Sequence, residues 1–289
     1  VDDTPVTTTA TTALGADIPV VVVPAMHEPM YDHPGVLDAL DQLEAWGVGF
    51  VEPRIEEGKA KIATEDAVVT ELARATTEQS LAGEHVIVTS GGTTESIDPI
   101  RTLSNRASGK TGRAVARACY ARGATVTLVH DGQQVPWATV EQVESAAEML
   151  AAVQSHADDA DALVSAAAIS DYTVDASDEK IRSGQDKIAL ELEPTPKLID
   201  TVRERHPSLP IVGFKAESEG DDAAITAKAR ETLDRVELAF VVGNDTSVMG
   251  ADTTRALIVR PESVDTVEGS KSTLGRRVAD ELAGVLAGR

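Results

Sequence analysis

The chain of 289 residues has one cysteine, few aromatic residues and no long apolar run. A single cysteine, Cys119, excludes a disulfide framework and a metal site built from cysteines, and its helical spacing favours a small core residue. No apolar run approaches the length that spans a membrane, and no signal peptide is visible. We therefore expect a cytoplasmic protein without a membrane partner.

Basic residues are also scarce. The 26 Lys and Arg residues face 48 Asp and Glu residues, which gives a formal net charge of −22 at pH 7. This charge argues against a nucleic-acid partner, because binding to a phosphate backbone depends on positive charge. A dense carboxylate surface stays hydrated and is screened in high salt, so the composition is typical of a halophilic protein.

Acidic residues, in turn, are missing from one stretch. None of the 48 lies between positions 99 and 130, although the average density would give about five in 32 positions. This basic island carries Arg101, Arg106, Lys110, Arg113, Arg117 and Arg122. It favours a phosphorylated ligand, and the alternative is a solvated basic helix face.

Residues 85–112 combine a buried strand, a glycine-containing loop and the start of a helix. Gly91 and Gly92 allow a sharp turn that brings backbone N–H groups close to a ligand. Residues 108–112 open a helix whose N-terminus attracts an anion. Two known phosphate motifs do not apply, because a P-loop would need a glycine at Ser104 and the G-x-G-x-x-G fingerprint is absent.

Strands alternate with helices over the rest of the chain. The strands predicted after the basic island begins are 124–130, 162–168, 211–215, 238–242 and 256–259. The predicted helices are 140–156, 196–205, 222–235 and 274–286. The alternation predicts an α/β fold with a doubly wound, mostly parallel, Rossmann-like sheet and helices on both faces. A long loop, 169–187, borders the carboxyl ends of the strands, where such sheets bind ligands, and we expect it to be functional.

The first 80 residues have a different organisation. They contain two predicted strands, 18–23 and 48–51, which are too few for an independent sheet. The first fourteen residues are rich in threonine and show no pattern, and residues 77–84 are polar and predict a linker. We therefore divide the chain into domains at 1–80 and 81–289.

Four linked motifs carry a resemblance to a known family. They are Ser90-Gly91-Gly92-Thr93, Ile97-Asp98-Pro99-Ile100-Arg101, Leu103-Ser104-Asn105 and Ser108-Gly109-Lys110-Thr111-Gly112. Together they resemble the phosphopantothenate–cysteine ligases of coenzyme A biosynthesis, over about residues 84–289. The resemblance implies a homodimeric enzyme that joins 4′-phosphopantothenate to cysteine through an acyl-cytidylate, using CTP and Mg²⁺.

The resemblance also implies roles for individual residues. Asn105 handles the acyl-nucleotide intermediate and Lys180 forms it. The nucleotide-contacting residues are Ser165, Ala166, Ala167, Asp171, Lys180, Pro196, Lys197, Leu198, Ile199 and Phe214. The residues at the phosphopantothenate and its phosphate are Gly91, Gly92, Arg101, Asn105, Ser108, Gly109 and Ala168. Metal ligands are not assigned.

One departure from the family concerns the nucleotide. Family members usually carry two lysines on the helix that precedes the Asn244-Asp245 strand end. Thr232 and Val236 stand at these places, with Lys228, Arg230 and Arg235 nearby. The choice of CTP over ATP therefore stays open.

A second resemblance concerns the first domain. Residues 24–30, Pro-Ala-Met-His-Glu-Pro-Met, resemble the substrate-contacting motif of flavin-dependent phosphopantothenoylcysteine decarboxylases, and the segment is similar to archaeal members. The match covers the last third of that flavodoxin-like domain, and the flavin-binding half would lie before Val1. We expect FMN only for a complete decarboxylase domain, and no decarboxylase activity from this chain.

Two other functions compete with a ligase. An NAD(P)-dependent oxidoreductase on the same fold would use Asp131 as its ribose partner, but it would also need the missing glycine fingerprint. A non-catalytic module that binds nucleotide or phosphate would be favoured if Asn105 and Lys180 pointed away from the pocket.

Overall fold

The computed structural model describes residues 4–56, 59–182, 184, 187–217, 221–245 and 253–289. It divides into two compact units, Val1–Gln79 and Ser80–Arg289, which we call the N-terminal and the C-terminal unit. No helix in the described ranges is both long and apolar enough to cross a membrane.

The N-terminal unit is built from short elements. The elements in chain order are α1 (Pro5–Gly15), β1 (Val21–Val22), β2 (Met26–His27), α2 (Glu28–Tyr31), α3 (Pro34–Ala45), β3 (Gly49–Phe50), β4 (Arg54–Glu56), β5 (Lys59–Lys61) and α4 (Glu65–Thr76). Strands β1 and β3 form a parallel pair, and β2, β5 and β4 form a small antiparallel sheet.

The threonine-rich start of this unit is ordered into helix α1, which the sequence did not predict. Thr4 caps the helix, because its hydroxyl accepts from the Thr7 N–H at 3.2 Å while the Thr7 hydroxyl accepts from the Thr4 N–H at 3.0 Å. Pro5 occupies the first turn, where a missing N–H costs nothing. The helix has no buried residue, so no apolar periodicity marks it in the sequence.

The C-terminal unit contains a large sheet, five helices and two small hairpins in its described residues. In chain order the elements are β6 (His85–Thr89), β7 (Thr94–Ser96), β8 (Thr102–Ser104), α5 (Lys110–Ala121), β9 (Thr125–His130), β10 (Thr139–Gln142), α6 (Ala146–His156), β11 (Ala162–Ser165), β12 (Tyr172–Val174), β13 (Leu192–Pro194), α7 (Leu198–Arg205), β14 (Ile211–Glu217), α8 (Asp222–Val236), β15 (Phe240–Asp245), β16 (Thr253–Val259), β17 (Val264–Ser270) and α9 (Lys271–Ala287).

The large sheet has the order β10-β9-β6-β11-β14-β15-β16-β17. Neighbouring strands from β10 to β15 are parallel, and the last two, β16 and β17, pair antiparallel. Helices cover both faces, because Val86 and Val88 of β6 join the cluster beneath α5 and α9 while Ile87 joins the cluster beneath α6, α7 and α8. The predicted doubly wound, mostly parallel sheet is confirmed.

One sequence-based prediction about this sheet is wrong, and one of its strands was not predicted. Residues 140–156 do not form one helix, because Val140 pairs with Leu128 in the edge strand β10 and helix α6 begins only after Ser145, whose capping box with Glu148 fixes its start. Strand β17 was missed because its residues are mostly polar and exposed, as befits an antiparallel edge strand.

Cys119 lies inside helix α5 and is fully buried, as its spacing predicted. Burial raises the pKa of the Cys119 thiol to about 12, and the nearby Arg122 offsets only part of this effect. A thiol with this pKa is a packing residue rather than a nucleophile.

Candidate functional site

A cavity of about 420 Å³ opens at the carboxyl ends of the parallel strands in the C-terminal unit. Its walls come from the loop after β6, the start of α5, the ends of β11 and β14, and the start of α7. This is the position at which doubly wound sheets bind ligands. The cavity is large enough for a nucleotide-sized molecule.

Close packing of the loop after β6 against helix α5 depends on three glycines. Gly91 has φ +83°, and a Cβ there would lie 2.5 Å from Asp131 Oδ1. Gly109 precedes α5 with φ +66°, and its Cβ would lie 3.1 Å from the Gly91 nitrogen. A Cβ on Gly112 would lie 2.6 Å from the Ser90 Oγ. These glycines bring backbone N–H groups and the positive end of α5 to one wall of the cavity.

The same contacts locate Asp131, which the oxidoreductase alternative would need as a ribose partner. Its carboxylate packs against Gly91. Ser90 fastens the loop from the other side, since its hydroxyl donates to the Gly109 carbonyl at 2.8 Å. The loop and the helix start therefore form one fixed surface.

Asn105 is tied to the end of this loop. Its Nδ2 donates to the Ala168 carbonyl at 2.9 Å, and the Ala168 N–H donates to the Gly91 carbonyl at 2.8 Å. A Cβ on Gly92 would lie 3.0 Å from the Asn105 carbonyl oxygen. The structure thus brings together four of the residues predicted at the phosphopantothenate, Gly91, Gly92, Asn105 and Ala168.

The residues predicted at the nucleotide gather across the cavity. All of them except Lys180 line it: Ser165, Ala166, Ala167, Asp171, Pro196, Lys197, Leu198, Ile199 and Phe214. The lining also includes Gly91, Ser108, Gly109 and Ala168 from the phosphopantothenate set.

The loop that carries Asp171 is held in place by its own contacts. The Thr195 N–H donates to the Asp171 carbonyl at 3.0 Å, and the Thr195 hydroxyl donates to the Ser170 carbonyl at 2.5 Å. The Asp171 side chain forms an ion pair with Lys197, and both side chains remain exposed. Residues 183, 185 and 186 of the predicted functional loop lie outside the described residues.

Four predicted site residues lie outside the cavity lining in the described part of the chain: Gly92, Asn105, Arg101 and Lys180. Gly92 and Asn105 belong to the loop next to the lining, and Arg101 and Lys180 are exposed. The Arg101 guanidinium pairs with the buried carboxylate of Asp98 and donates to the Ile181 carbonyl at 3.1 Å. Ile181 is the neighbour of Lys180 in the chain, so Arg101 and Lys180 are connected through this contact.

Several charged or polar lining residues were not in the predicted site. They are Arg106, Lys110, Thr111, Ser170, Thr195, Asp200, Lys215, Thr232, Arg235, Asn244 and Lys271. The basic island contained Arg106 and Lys110, and Asn244 follows a predicted strand. Lys271 was missed together with strand β17, which precedes it.

Helix α8 contributes a positively charged side chain to the cavity, but from a position other than the two where lysine was expected. Val236, one of the two positions where lysine was expected, is buried in the core, while Arg235 lines the cavity and pairs with Asp200. The second oxygen of Asp200, Oδ2, is buried and has no hydrogen-bond partner among the described residues. The cavity is therefore basic on the side of α5 and also on the side of α8.

A protein-held metal site does not emerge from these side chains. Among the residues that the structure describes, no group of three or more His, Cys, Asp or Glu side chains could hold a metal ion. The two carboxylates in the lining, Asp171 and Asp200, are each paired with a cation of the protein. We assign no metal ligand.

Comparisons with known proteins match both units of the chain to families of known proteins. The family model "DNA/pantothenate metabolism flavoprotein C-terminal domain" matches residues 81–286, and the model "Flavoprotein" matches residues 1–77. The coenzyme A biosynthesis bifunctional protein CoaBC of Thermococcus kodakarensis is 42% identical over 292 residues, which cover 99% of this chain and 72% of the relative. The CoaBC protein of Methanocaldococcus jannaschii is 33% identical, over 97% of this chain and 70% of the relative.

The chain belongs to the CoaBC family. It is thereby an enzyme of coenzyme A biosynthesis. A crystal structure of the C-terminal domain of a CoaBC protein is similar with a TM-score of 0.60 and 27% identity, covering 73% of this chain and all of that chain. A Cab2 mutant in complex with phosphopantothenate-cysteine shares the fold, with a TM-score of 0.59 at 18% identity, over 78% of this chain and 96% of that chain.

Proposed function

We propose that the C-terminal unit joins 4′-phosphopantothenate to cysteine at this cavity, with CTP as the activating nucleotide. In this proposal residues 81–289 are the ligase domain, and residues 1–80 are the C-terminal part of a decarboxylase domain. The observation that carries it is the arrangement around Ala168. This residue contacts Asn105 and Gly91 on one side and continues into the nucleotide wall, Ser165 to Ala167, on the other.

The reaction would proceed in two steps. A carboxylate oxygen of phosphopantothenate attacks the α-phosphorus of CTP, and the bond to pyrophosphate breaks as the acyl-cytidylate forms. The amine of cysteine then attacks the acyl carbon, CMP leaves with the bonding electron pair, and the amine loses a proton. Both steps need a fixed approach of the reacting groups and positive charge where negative charge accumulates.

The basic lining suits the phosphates of both substrates. Arg106 and Lys110 lie on the side of helix α5, Lys271 begins helix α9 on the same face of the sheet, and Lys215 and Arg235 lie on the opposite side. We assign the cations of the α5 side and the glycine loop to the phosphate of phosphopantothenate, and those of the opposite side to the triphosphate. Mg²⁺ prefers phosphate oxygens and retained water to a cage of protein side chains, so it would enter with the nucleotide.

Asn105 and Lys180 have distinct parts in the proposal. The Asn105 amide, held by Ala168, is suited to orient the acyl carbonyl of the intermediate. Lys180 offsets the charge that gathers on the α-phosphate as the carboxylate attacks. No step uses a flavin, and FMN is expected only with a complete decarboxylase domain.

The experiment is a pyrophosphate-release assay on the whole chain in high salt. We expect release with CTP and phosphopantothenate, none when phosphopantothenate is omitted, and formation of phosphopantothenoylcysteine when cysteine is added. Repeating the assay with ATP in place of CTP measures how strongly this chain, with Thr232 and Arg235 on helix α8, prefers one nucleotide over the other. A chain that binds CTP but never releases pyrophosphate would support the non-catalytic alternative.

We also propose a homodimer, on the family resemblance. Light scattering in high salt is expected to give twice the chain mass, and the mass of one chain would contradict it.

A further inference from the structure

A buried carboxylate lies next to the proposed site without a part in the chemistry above. Asp98 occupies the turn between β7 and β8 and is only 2% exposed. Its Oδ1 accepts from the N–H groups of Ile100 and Arg101, both at 2.8 Å. Its Oδ2 accepts from the Ile181 N–H at 3.1 Å and from the Arg101 guanidinium. Four donors therefore converge on one carboxylate.

These donors keep the group ionised in spite of its burial. Burial acts to raise the pKa of the Asp98 carboxyl, but the three backbone N–H groups and Arg101 together lower it to about 2. Because the folded-state pKa lies below the ordinary value, the stabilising contribution is present above about pH 4 and is lost as the pH falls toward the folded value. At neutral pH the anion and its four donors form a fixed unit.

Two of the contacts reach a distant part of the chain. Both backbone groups of Ile181 are held, since its N–H donates to Asp98 and its carbonyl accepts from Arg101 at 3.1 Å. A second fastening lies four residues earlier, where the Ser177 N–H donates to the Ile97 carbonyl at 3.0 Å. Lys180 stands between these two fastenings, directly before Ile181. Its backbone is thus held by the turn at Asp98.

The hairpin that carries this turn is itself held firmly. Glu95 on β7, 5% exposed, accepts from the Ala146 N–H at 2.9 Å and from the Thr173 hydroxyl at 3.0 Å. At the other end of the hairpin, β8 leads directly into Asn105. One rigid hairpin therefore sets the positions of both residues to which the proposal gives a part in the chemistry, Asn105 and Lys180.

We propose that Asp98 is a positioning residue, which holds the backbone of the Lys180 segment so that the lysine is presented toward the activated phosphate. The inference rests on the proposed function, because it takes Lys180 as the cation at the α-phosphate. It also gives the predicted phosphate residue Arg101 a second task, which is to hold Ile181. The competing explanation is that Asp98 stabilises its own turn and nothing else.

Two substitutions separate these explanations. Asp98→Asn keeps the shape but removes the negative charge, and its N–H₂ group must face one of the two sets of donors, so the hydrogen bonds that hold Ile181 are weakened or lost. Asp98→Ser keeps an oxygen that can accept from Ile100 within the turn, but it is too short to reach Ile181. If Asp98 acts through Lys180, both variants are impaired. If it serves the turn alone, Asp98→Ser keeps most of the activity.

Hydrogen exchange followed by mass spectrometry tests the tether without any substrate. In the whole chain, the amides of residues 177–182 are expected to exchange faster in both Asp98 variants than in the parent. The matched control is Asp280→Asn, which neutralises the carboxylate that pairs with Arg122 at 2.5 Å elsewhere in the same unit. It changes the charge equally and is expected to leave exchange at 177–182 unchanged.

Single-turnover formation of the acyl-cytidylate tests the consequence. Hydrogen bonds to a charged group justify an expected loss of roughly 10- to 100-fold in both Asp98 variants. The maximal rate of acyl-cytidylate formation decreases, whereas the CTP concentration that gives half of this rate stays nearly unchanged. Since Asp98 is ionised throughout, the ratio of parent to variant rates stays constant between about pH 6 and 9.

A double-mutant cycle decides the matter. In a Lys180→Gln background, Asp98→Asn is expected to cause less than about a twofold further loss, because its effect passes through Lys180. An equal loss in both backgrounds, or a parent-like Asp98→Asn, overturns the positioning role. Failure of the proposed function can be distinguished from failure of the positioning role. If the proposed function is wrong, the parent itself forms no acyl-cytidylate. The exchange experiment then still reports whether Asp98 holds residues 177–182.

Discussion

The two units of the chain bury apolar side chains to very different extents. In the described part of the N-terminal unit the buried apolar residues with little exposure are Val48, Val51, Ala60 and Ala63, and its strands are two or three residues long. The C-terminal unit has an eight-stranded sheet with a large apolar cluster on each face. A two-stranded sheet cannot enclose a core by itself, whereas a sheet covered by helices on both faces can. The comparison indicates that the C-terminal unit carries its own stability and the N-terminal unit does not.

Expressing the two units separately tests this difference in stability and has the largest expected effect. Residues 80–289 expressed alone are expected to unfold in one cooperative thermal transition, because both clusters lie within them. Residues 1–79 alone are expected to show no cooperative transition, since so few side chains are buried. Calorimetry of the two pieces in high salt measures both. A sharp transition from residues 1–79 would contradict the comparison.

A matched pair of core substitutions tests the difference between the two units with a smaller expected effect. Phe240 is 1% exposed in the large sheet, and replacing it by alanine is expected to lower the unfolding free energy by about 3–5 kcal/mol. Val51→Ala in the N-terminal unit removes less apolar surface and is expected to leave the unfolding free energy of the C-terminal unit unchanged.

The two tryptophans allow each unit to be followed separately. Trp137 is 7% exposed within the C-terminal unit, while Trp46 belongs to the N-terminal unit. In a Trp46→Phe background, Trp137 fluorescence during urea unfolding is expected to shift its midpoint with Phe240→Ala and not with Val51→Ala. An equal shift with Val51→Ala would mean that the units unfold as one, against the comparison.

The sequence predicted those parts of the fold that follow from local pattern. The β-branched residues at 86–89 and the glycines at 91 and 92 predicted β6 and its loop, because alternation and backbone freedom are properties of consecutive residues. The edge strands β10 and β17 were misjudged or missed, since exposed strands lack an apolar signature. Helix α1 was missed for the same reason.

The candidate site was predictable where residue type alone carries the information. The glycine loop, Asn105 and the walls of the nucleotide side came from motifs, and the structure gathers most of them around the cavity. Contacts between distant residues were not predictable. Nothing in the order of residues indicates that Asp98 reaches Ile181, or that Arg235 rather than position 236 faces the cavity.

The most direct test of the central claim is to look for the acyl-cytidylate itself. Quenched-flow mass spectrometry on the whole chain, with phosphopantothenate and CTP but no cysteine, is expected to detect phosphopantothenoyl-cytidylate. Lys180→Gln should raise the activation free energy of its formation by about 2–4 kcal/mol, which slows it by roughly 30- to 1,000-fold. Asn105→Asp should still form it but transfer it poorly to added cysteine. If Lys180→Gln accumulates the intermediate at the parent rate, or the parent never forms it, the account is contradicted.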